Sequence, residues 1–491
     1  MKRLLTLVAA CALALSPAPS AQTDAVKAAA DALGATNLKT LQVTGSGANF
    51  SVGQNFTPSE PWPRVTVKSI TASINYDTGS MRLELTREMG ATMPRGGGAP
   101  FTGEQRQVQV VSGNYAWNMA PPAQAGAAPQ AAAAPGNAVE RMLMLWATPQ
   151  GFVKAAMANN ATTKKAKGGT EVSFMVGGKY KMTGLINAQN QVERVQTWID
   201  QPIVGDMLVE TVYSDYKDFG GVRFPSHIVQ SQDGFPSLDV TVSAVTANPA
   251  VDITVPDNVR TAQPAPVRVE SAKLADGVFY LTGGSHHSLA VEMKDHIVLV
   301  DVPQTEQRAL AVIAKAKEVI PNKPIRFLVT SHHHWDHLGG IRAAMDEGAI
   351  IVTHQSNKAF LERVAKTPHT INPDRLAASK KSVKIQTVGA KGTLTDGART
   401  IELHLLTNYE HTGDMLVVYL PKEKILGEPD AFTPPATPTA SLVVTAVPYA
   451  AALYDNIQRL KLDVQTIAPF HGARTSTVAE LGKSAGKVAA N

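Results

Sequence analysis

Four histidines and one aspartate stand within six residues, just after the strand-like run Ile325 to Thr330. The stretch reads Ser331-His332-His333-His334-Trp335-Asp336-His337-Leu338-Gly339-Gly340 and contains the pattern His-x-His-x-Asp-His. In an extended segment residues two apart project to the same side, so His332 and His334 can share one metal. His333 then points to the opposite side, and its loss is expected to cost little. Where the chain turns into a helix, Asp336 and His337 offer a carboxylate and an imidazole to a second site beside the first. Gly339 and Gly340 permit tight turning where side chains would collide with the metals. Imidazole and carboxylate donors suit zinc best, with iron or manganese next. Four donors cannot close two sites, so the fold must deliver others to the same edge.

The downstream chain has such donors at the ends of strand-like runs. His411 precedes the run Met415 to Leu420, Asp430 follows Lys424 to Leu426, and His471 follows Val464 to Ala468. Their surroundings read as an α/β layer architecture. Val278 to Thr282 and Ser288 to Met293 form a hairpin, and Ile297 to Val300 is a continuous apolar strand. Gln307 to Val319 has helical spacing, and Ala349 to Thr353 with Ser356 to Ala365 repeat strand then helix.

The half before this has a different rhythm. A short Ala-rich helix over Asp24 to Leu33, ended by Gly34, leads into alternating strands. These are Leu41 to Val43, Val65 to Tyr76, Met81 to Arg87 and Gln107 to Trp117, with a turn at Asp77-Thr78-Gly79. More strands lie between Glu171 and Val245. Ala120 to Gly136, almost wholly Ala, Pro, Gln and Gly, reads as a low-complexity loop. Asn137 to Asn159 reads as helical, with Pro149 placed to break it. The Pro- and Val-rich stretch Asn248 to Arg268 separates the halves. The expected organisation is a leader over 1–21, a mainly antiparallel β domain with one or two helices over 22–265, and an α/β domain over 266–491.

The ligand motifs and their order resemble the metallo-β-lactamase fold superfamily over roughly Val269 to Lys487. Asp301, the His332 to His337 motif, His411, Asp430 and His471 match its five motif positions in order. The resemblance implies a four-layer αβ/βα sandwich with the site at one edge of the two sheets. It implies that His332, His334 and His411 bind one metal, that Asp336, His337 and His471 bind another, and that Asp430 bridges them. Two zinc ions per chain are the expected cofactors. The hairpin carrying His286 and His287 is expected to overhang the metals, with His287 as a substrate contact. A solvated histidine tract is the plain alternative, but seven donors in order at strand ends weigh against it.

The function this implies is a hydrolase. A hydroxide bridging two cations attacks an ester-, thioester-, lactone- or amide-type bond, and Asp336 orients the water and takes its proton. Tyr409 and Asn408 are candidates to assist the oxyanion. The second set of donors, without Cys, is similar to histidine-type lactamases, thioesterases and lactonases. A periplasmic metal-dependent β-lactamase, or a non-catalytic carrier that kept the fold, are the alternatives. His227, His296, His354, His369 and His404 read as ordinary surface or edge residues.

Targeting and composition bound the partners. Lys2-Arg3, the apolar run Leu4 to Leu15 and the small residues Ser16 to Ala21 have the order of a cleaved signal peptide, so a periplasmic or secreted location is expected. Val8-Ala9-Ala10-Cys11 is similar to a lipobox, which would make Cys11 a membrane anchor. With Cys11 the only cysteine, no disulfide framework is possible. No later apolar run is long enough to span a bilayer. A net charge of +5 over 491 residues, with scattered Lys and Arg, is too weak for nucleic acid. A small-molecule substrate is the expected partner.

Overall fold

The computed structural model describes residues 20–90, 94–98, 100–120, 128–437 and 448–487. The expected leader, Cys11 included, lies outside the described residues except for its last two positions, which open the helix Ser20–Ala32. That helix starts four residues earlier than the Ala-rich pattern suggested, and Gly34 follows it at φ +67°.

The first half is one 13-stranded sheet. The chain leaves the middle of it at Thr40–Phe50 and meanders outward to Gln130–Ala133. It returns from Thr162–Ala166 to Phe235–Ala247, which closes against the starting strand with Leu41 opposite Ala247. Inward and outward residues alternate along Thr40–Phe50 and Val192–Gln201, the period-2 burial of a sheet with one face covered. The cover is a helix pair, Ala138–Ala147 and Pro149–Ala158, which buries Leu143, Leu145, Phe152 and Val153. Between them Thr148 is extended and its side chain accepts from the Gly151 N–H, so Pro149 opens a new helix at a position where its missing N–H costs nothing.

Two expectations need correction in this half. Gln107 to Trp117 is two strands, Glu104–Ser112 and Tyr115–Ala120, because Gly113 turns the chain at φ +56°. The Ala/Pro-rich loop is not loop throughout. Gln130–Ala133 pairs with Tyr115–Ala120 as an edge strand, since a ladder needs backbone groups and not particular side chains.

The second half stacks two sheets. One has seven strands, in which Ile297–Val300, Ile325–Val329, Ile350–His354 and Lys384–Val388 run parallel. The hairpin Val278–Thr282 with Ser288–Glu292 extends it. The other has five strands, from Lys391–Thr395 to Thr466–Pro469. Val298, Val300, Val329, Leu416, Val418 and Phe470 share the core between them. Outside the first sheet lie the helices Glu306–Val319 and Ile341–Glu347, packed through Ala309, Val312 and Ala344. Outside the second lie Pro448–Leu460 and Val478–Ser484, packed through Leu453, Ile457 and Leu481. The result is the four-layer αβ/βα sandwich, with the strand ends that carry the motif residues at one edge.

The halves are fastened in two places. Asp206 accepts from the N–H groups of Thr370 (2.9 Å) and Ile371 (3.0 Å), and Arg363 makes two 2.8 Å bonds to Asp233. At the other place residues 51–63 leave the large sheet and lie on the edge of the sandwich, where Trp62 meets Trp335 edge-on at 5.7 Å.

Candidate metal centre

The site begins where the buried strand Ile325–Val329 ends. Residues 331–334 continue without regular structure, and His334 (φ −62°, ψ 145°) caps the short helix Trp335–Leu338. His332 and His334 therefore fall on one side and His333 on the other. The two glycines after the motif have a different reason from the one their position suggested. A Cβ on Gly339 would lie 1.9 Å from the Gln304 carbonyl oxygen, and one on Gly340 would lie 2.1 Å from the Ala309 Cβ. They let the motif pack against residues 302–309 and do not clear space for metals.

His332, His334 and His411 each offer a nitrogen, all within 4.8 Å of one another. His332, His337 and Asp430 form a second such group, and His286, Asp336, His337 and His471 a third. Asp430 is the hub. Its Oδ2 lies 3.1 Å from His332 Nε2, 3.1 Å from His337 Nε2 and 3.2 Å from His411 Nε2, and its Oδ1 lies 2.8 Å from His471 Nε2. The seven residues picked from sequence thus converge. His286 joins them, with Nε2 3.2 Å from Asp336 Oδ2.

The outer contacts fix which ring nitrogen faces the hub. Asp301 accepts from the Ser331 N–H (2.8 Å), the Ser331 hydroxyl (2.6 Å) and His337 Nδ1 (2.9 Å). With its proton on Asp301, the Ser331 oxygen accepts from His332 Nδ1 at 3.0 Å. His334 Nε2 donates to the Asn55 carbonyl at 2.8 Å, and His411 Nδ1 donates to the Gly97 carbonyl. Left facing the hub are His332 Nε2, His334 Nδ1, His337 Nε2 and His411 Nε2. His332 Nε2 and His334 Nδ1 are buried without a hydrogen-bond partner, and His337 Nε2 faces His471 Nε2 at 3.0 Å. Bare, inward-aimed imidazole nitrogens with their other nitrogens tied to acceptors fit metal ligation.

The electrostatics agree with that fit. Burial pushes His332 down and His334 well down, so both are neutral, the form that binds metal. Burial would raise Asp430, but the charges of His337 and His411 hold it well below the usual carboxylate range. At Asp336 burial is outweighed by the His286 hydrogen bond and the His337 charge, so it too is held low. Glu428 behaves differently. Burial pushes it up to about 8, although it accepts from the N–H groups of Ala431 (2.8 Å) and Phe432 (3.2 Å), so it ties down the Asp430 loop as a largely neutral acid.

Several positions were missed or misread in the sequence. Gln54, Asn55 and Gly97 come from the first half and reach the site mainly through an amide and two backbone carbonyls. Backbone carbonyls leave no mark in a sequence, though the irregular Gly53 and Gly96–Gly98 segments were a signal of close approach. Of the hairpin pair, His286 faces the hub, not His287. His287 is buried, takes a backbone bond from its own N–H to the Phe470 carbonyl (2.9 Å) and donates from Nε2 to the Gly472 carbonyl, so it props the chain beside His471. Asn408 is exposed, whereas Tyr409 is buried near His411 with its hydroxyl unpartnered. Of the five other histidines only His227 lies at the surface. His296, His354, His369 and His404 are buried, each beside a local acceptor: Asp295, Ser356, Asp374 and Glu402 respectively.

Comparison with known proteins bears on the same segment. Residues 281–471 match the family model described as the metallo-beta-lactamase superfamily. No curated protein matches the chain. Among solved structures, a metallo-beta-lactamase from Pontibacter korlensis is 22% identical, with 45% of this chain and 98% of that chain covered and a TM-score of 0.35. The metallo-beta-lactamase FIM-1 from Pseudomonas aeruginosa in its mono-zinc form is also 22% identical, over 46% and 97%, with a TM-score of 0.34. One from Hirschia baltica is 22% identical over 45% and 97%, with a TM-score of 0.33. Residues 281–471, which carry all seven converging donors and His286, are thus the part of the chain that is similar to the metallo-beta-lactamase superfamily.

Proposed function

We propose that this chain is an exported metal-dependent hydrolase that acts on a carbonyl-centred bond of ester, thioester, lactone or amide type. The observation that carries the reading is Asp430, whose two carboxylate oxygens together reach four imidazoles at 2.8 to 3.2 Å. His332, His334 and His411 would hold one ion, Asp336, His337 and His471 a second, with Asp430 between them. Bound there, divalent ions supply Lewis acidity and a water acidic enough to ionise near pH 7. The nitrogen and oxygen donor set favours zinc over softer metals.

The chain's own residues would do the rest. Asp336 is held from both sides, by Gln54 at Oδ1 (2.8 Å) and by His286 at Oδ2 (3.2 Å), so it is fixed to accept a proton at Oδ2. His286 stands beside His471 with ring centroids 4.0 Å apart and is placed to pass that proton on or to meet a substrate oxygen. Export rests on the basic, apolar and small-residue order of the first 21 residues. N-terminal sequencing of the mature protein tests it, and an uncleaved Met1 would remove it.

Metal analysis and a hydrolysis panel on the full mature chain test the reading together. Close to two equivalents of metal are expected, with turnover lost on chelation and restored by zinc. A chain that binds no metal under non-chelating conditions would overturn the reading.

A further inference from the structure

The large sheet and its helix pair line a partly open cavity of about 240 Å³, distinct from the metal centre. Its floor comes from seven adjacent strands, from Glu104–Ser112 through Thr40–Phe50 to Gly205–Asp218, and its roof from Met144 to Pro149. Ile70, Ile74, Leu83, Phe224 and Val240 are typical of its wall. At roughly 4.8 Å per strand, seven strands span on the order of 30 Å before curvature. The lining residues reach across all seven of these strands. Such a span suits one extended chain better than a compact ring system. Apolar cavities of about 150 Å³ already take up small apolar molecules.

The polar groups in the wall are neutral, and Asn49, Thr211, Gln230, Gln232 and Ser237 are grouped, whereas Gln107 and Gln109 stand apart on Glu104–Ser112. Asn49 is opposite Leu238, which is opposite Gln230, so these lie at the end where Thr40–Phe50 leaves the sheet for residues 51–63. Gln232 and Thr211 line the same region, and the Asn49 side-chain oxygen is buried without a partner. No Lys, Arg, His, Asp or Glu lines the cavity among the described residues. The nearest carboxylate, Glu140, accepts from Gln232 at 3.4 Å just beyond it. An anionic head would meet no cation there and one carboxylate, whereas a hydroxyl or amide head would find side-chain amides.

We propose that this cavity is a binding site for a single long-chain aliphatic molecule with an uncharged polar head. Its wall provides apolar contact along the length and its largest cluster of neutral hydrogen-bonding groups at one end, the usual division of labour in a small-molecule site. The proposal is independent of the hydrolase reading, because no donor to the metal centre lines the cavity.

The probe is 1-dodecanol, titrated into the full mature chain against the fluorescence of bound N-phenyl-1-naphthylamine. Saturable one-to-one displacement is expected, unchanged after chelation of the metals. Ala72→Trp, which fills the cavity from the sheet, should weaken dodecanol by at least about tenfold while leaving metal content intact. Met144→Trp fills it from the helix and serves if the first variant does not fold. Dodecanoate should bind at least about tenfold more weakly than dodecanol. Absence of displacement, or displacement indifferent to both filling variants, overturns the site. Displacement lost on chelation overturns it too, since the dye would then sit at the metal centre. Dodecanoate binding as tightly as dodecanol overturns the uncharged head.

Discussion

Gln54 Nε2 donates to Asp336 Oδ1 at 2.8 Å, joining positions 282 residues apart. Among the described residues, nothing else in the first half touches a candidate metal-ligand side chain through a side chain of its own so directly. Gln54→Ala should leave the His332, His334 and His411 group intact and free Asp336 to turn. The expected result is roughly 10- to 100-fold weaker binding of one metal of the two, read by chelator competition. Two metals held as tightly as in the parent chain would show that Gln54 does not position Asp336.

Asp336→Asn and His333→Ala separate ligation from stability. Asp336→Asn removes a donor and an anionic charge at the second site, so one metal and most turnover should go while the fold stays. His333 was expected to matter little, but burial changes that. Its Nδ1 bonds Asp414 at 2.8 Å and its Nε2 bonds Asn55 Oδ1 at 3.2 Å, with both His333 and Asp414 about 1% exposed. His333→Ala should therefore cost about 3–5 kcal/mol of stability, measured by denaturant unfolding. Folded protein should still carry two metals. Loss of metal without loss of stability would reverse the assignment of the motif.

Asp414 gives the chain an acid limit. Burial alone would raise it, but the His333 charge and the bonds from His333 and Thr412 hold it far below the usual carboxylate range, and Asn357 donates to its other oxygen at 2.6 Å. A carboxylate with a depressed folded-state pKa stabilises the fold above its unfolded value of about 3.9, and that stabilisation is lost as pH falls further. Asp414→Asn should flatten the acid side of the stability curve below about pH 4 and lower stability at neutral pH. An unchanged acid slope in thermal melts would count against this.

A fragment of residues 266–491 should not reproduce the metal centre. It lacks the Asn55 and Gly97 carbonyls that hold His334 and His411, and the sandwich surface under Trp62 would be bare. Binding at the first site is expected to weaken by at least about tenfold against the full chain. Equal chelator competition in fragment and full chain would mean those carbonyls do not matter.

The sequence by itself determined an α/β layered second half and its candidate donors, while the four-layer arrangement was implied only by the family resemblance. A His-x-His-x-Asp-His run at the end of a buried strand, with His411, Asp430 and His471 at later strand ends, depends only on strand alternation and ligand chemistry, both local and readable. It also gave the Pro149 break and the change of rhythm near residue 250. Only the tertiary structure decided which of His286 and His287 turns inward. It also decided that His333 is a buried partner of Asp414, and that the first half supplies Gln54 and two carbonyls to the site. Those outcomes rest on contacts between positions 81 to 314 residues apart, or on where a hairpin tip rests, and several use backbone carbonyls that every residue carries. A pattern that repeats every two or three to four residues records which face a side chain occupies. It holds no record of what a distant segment places against that face.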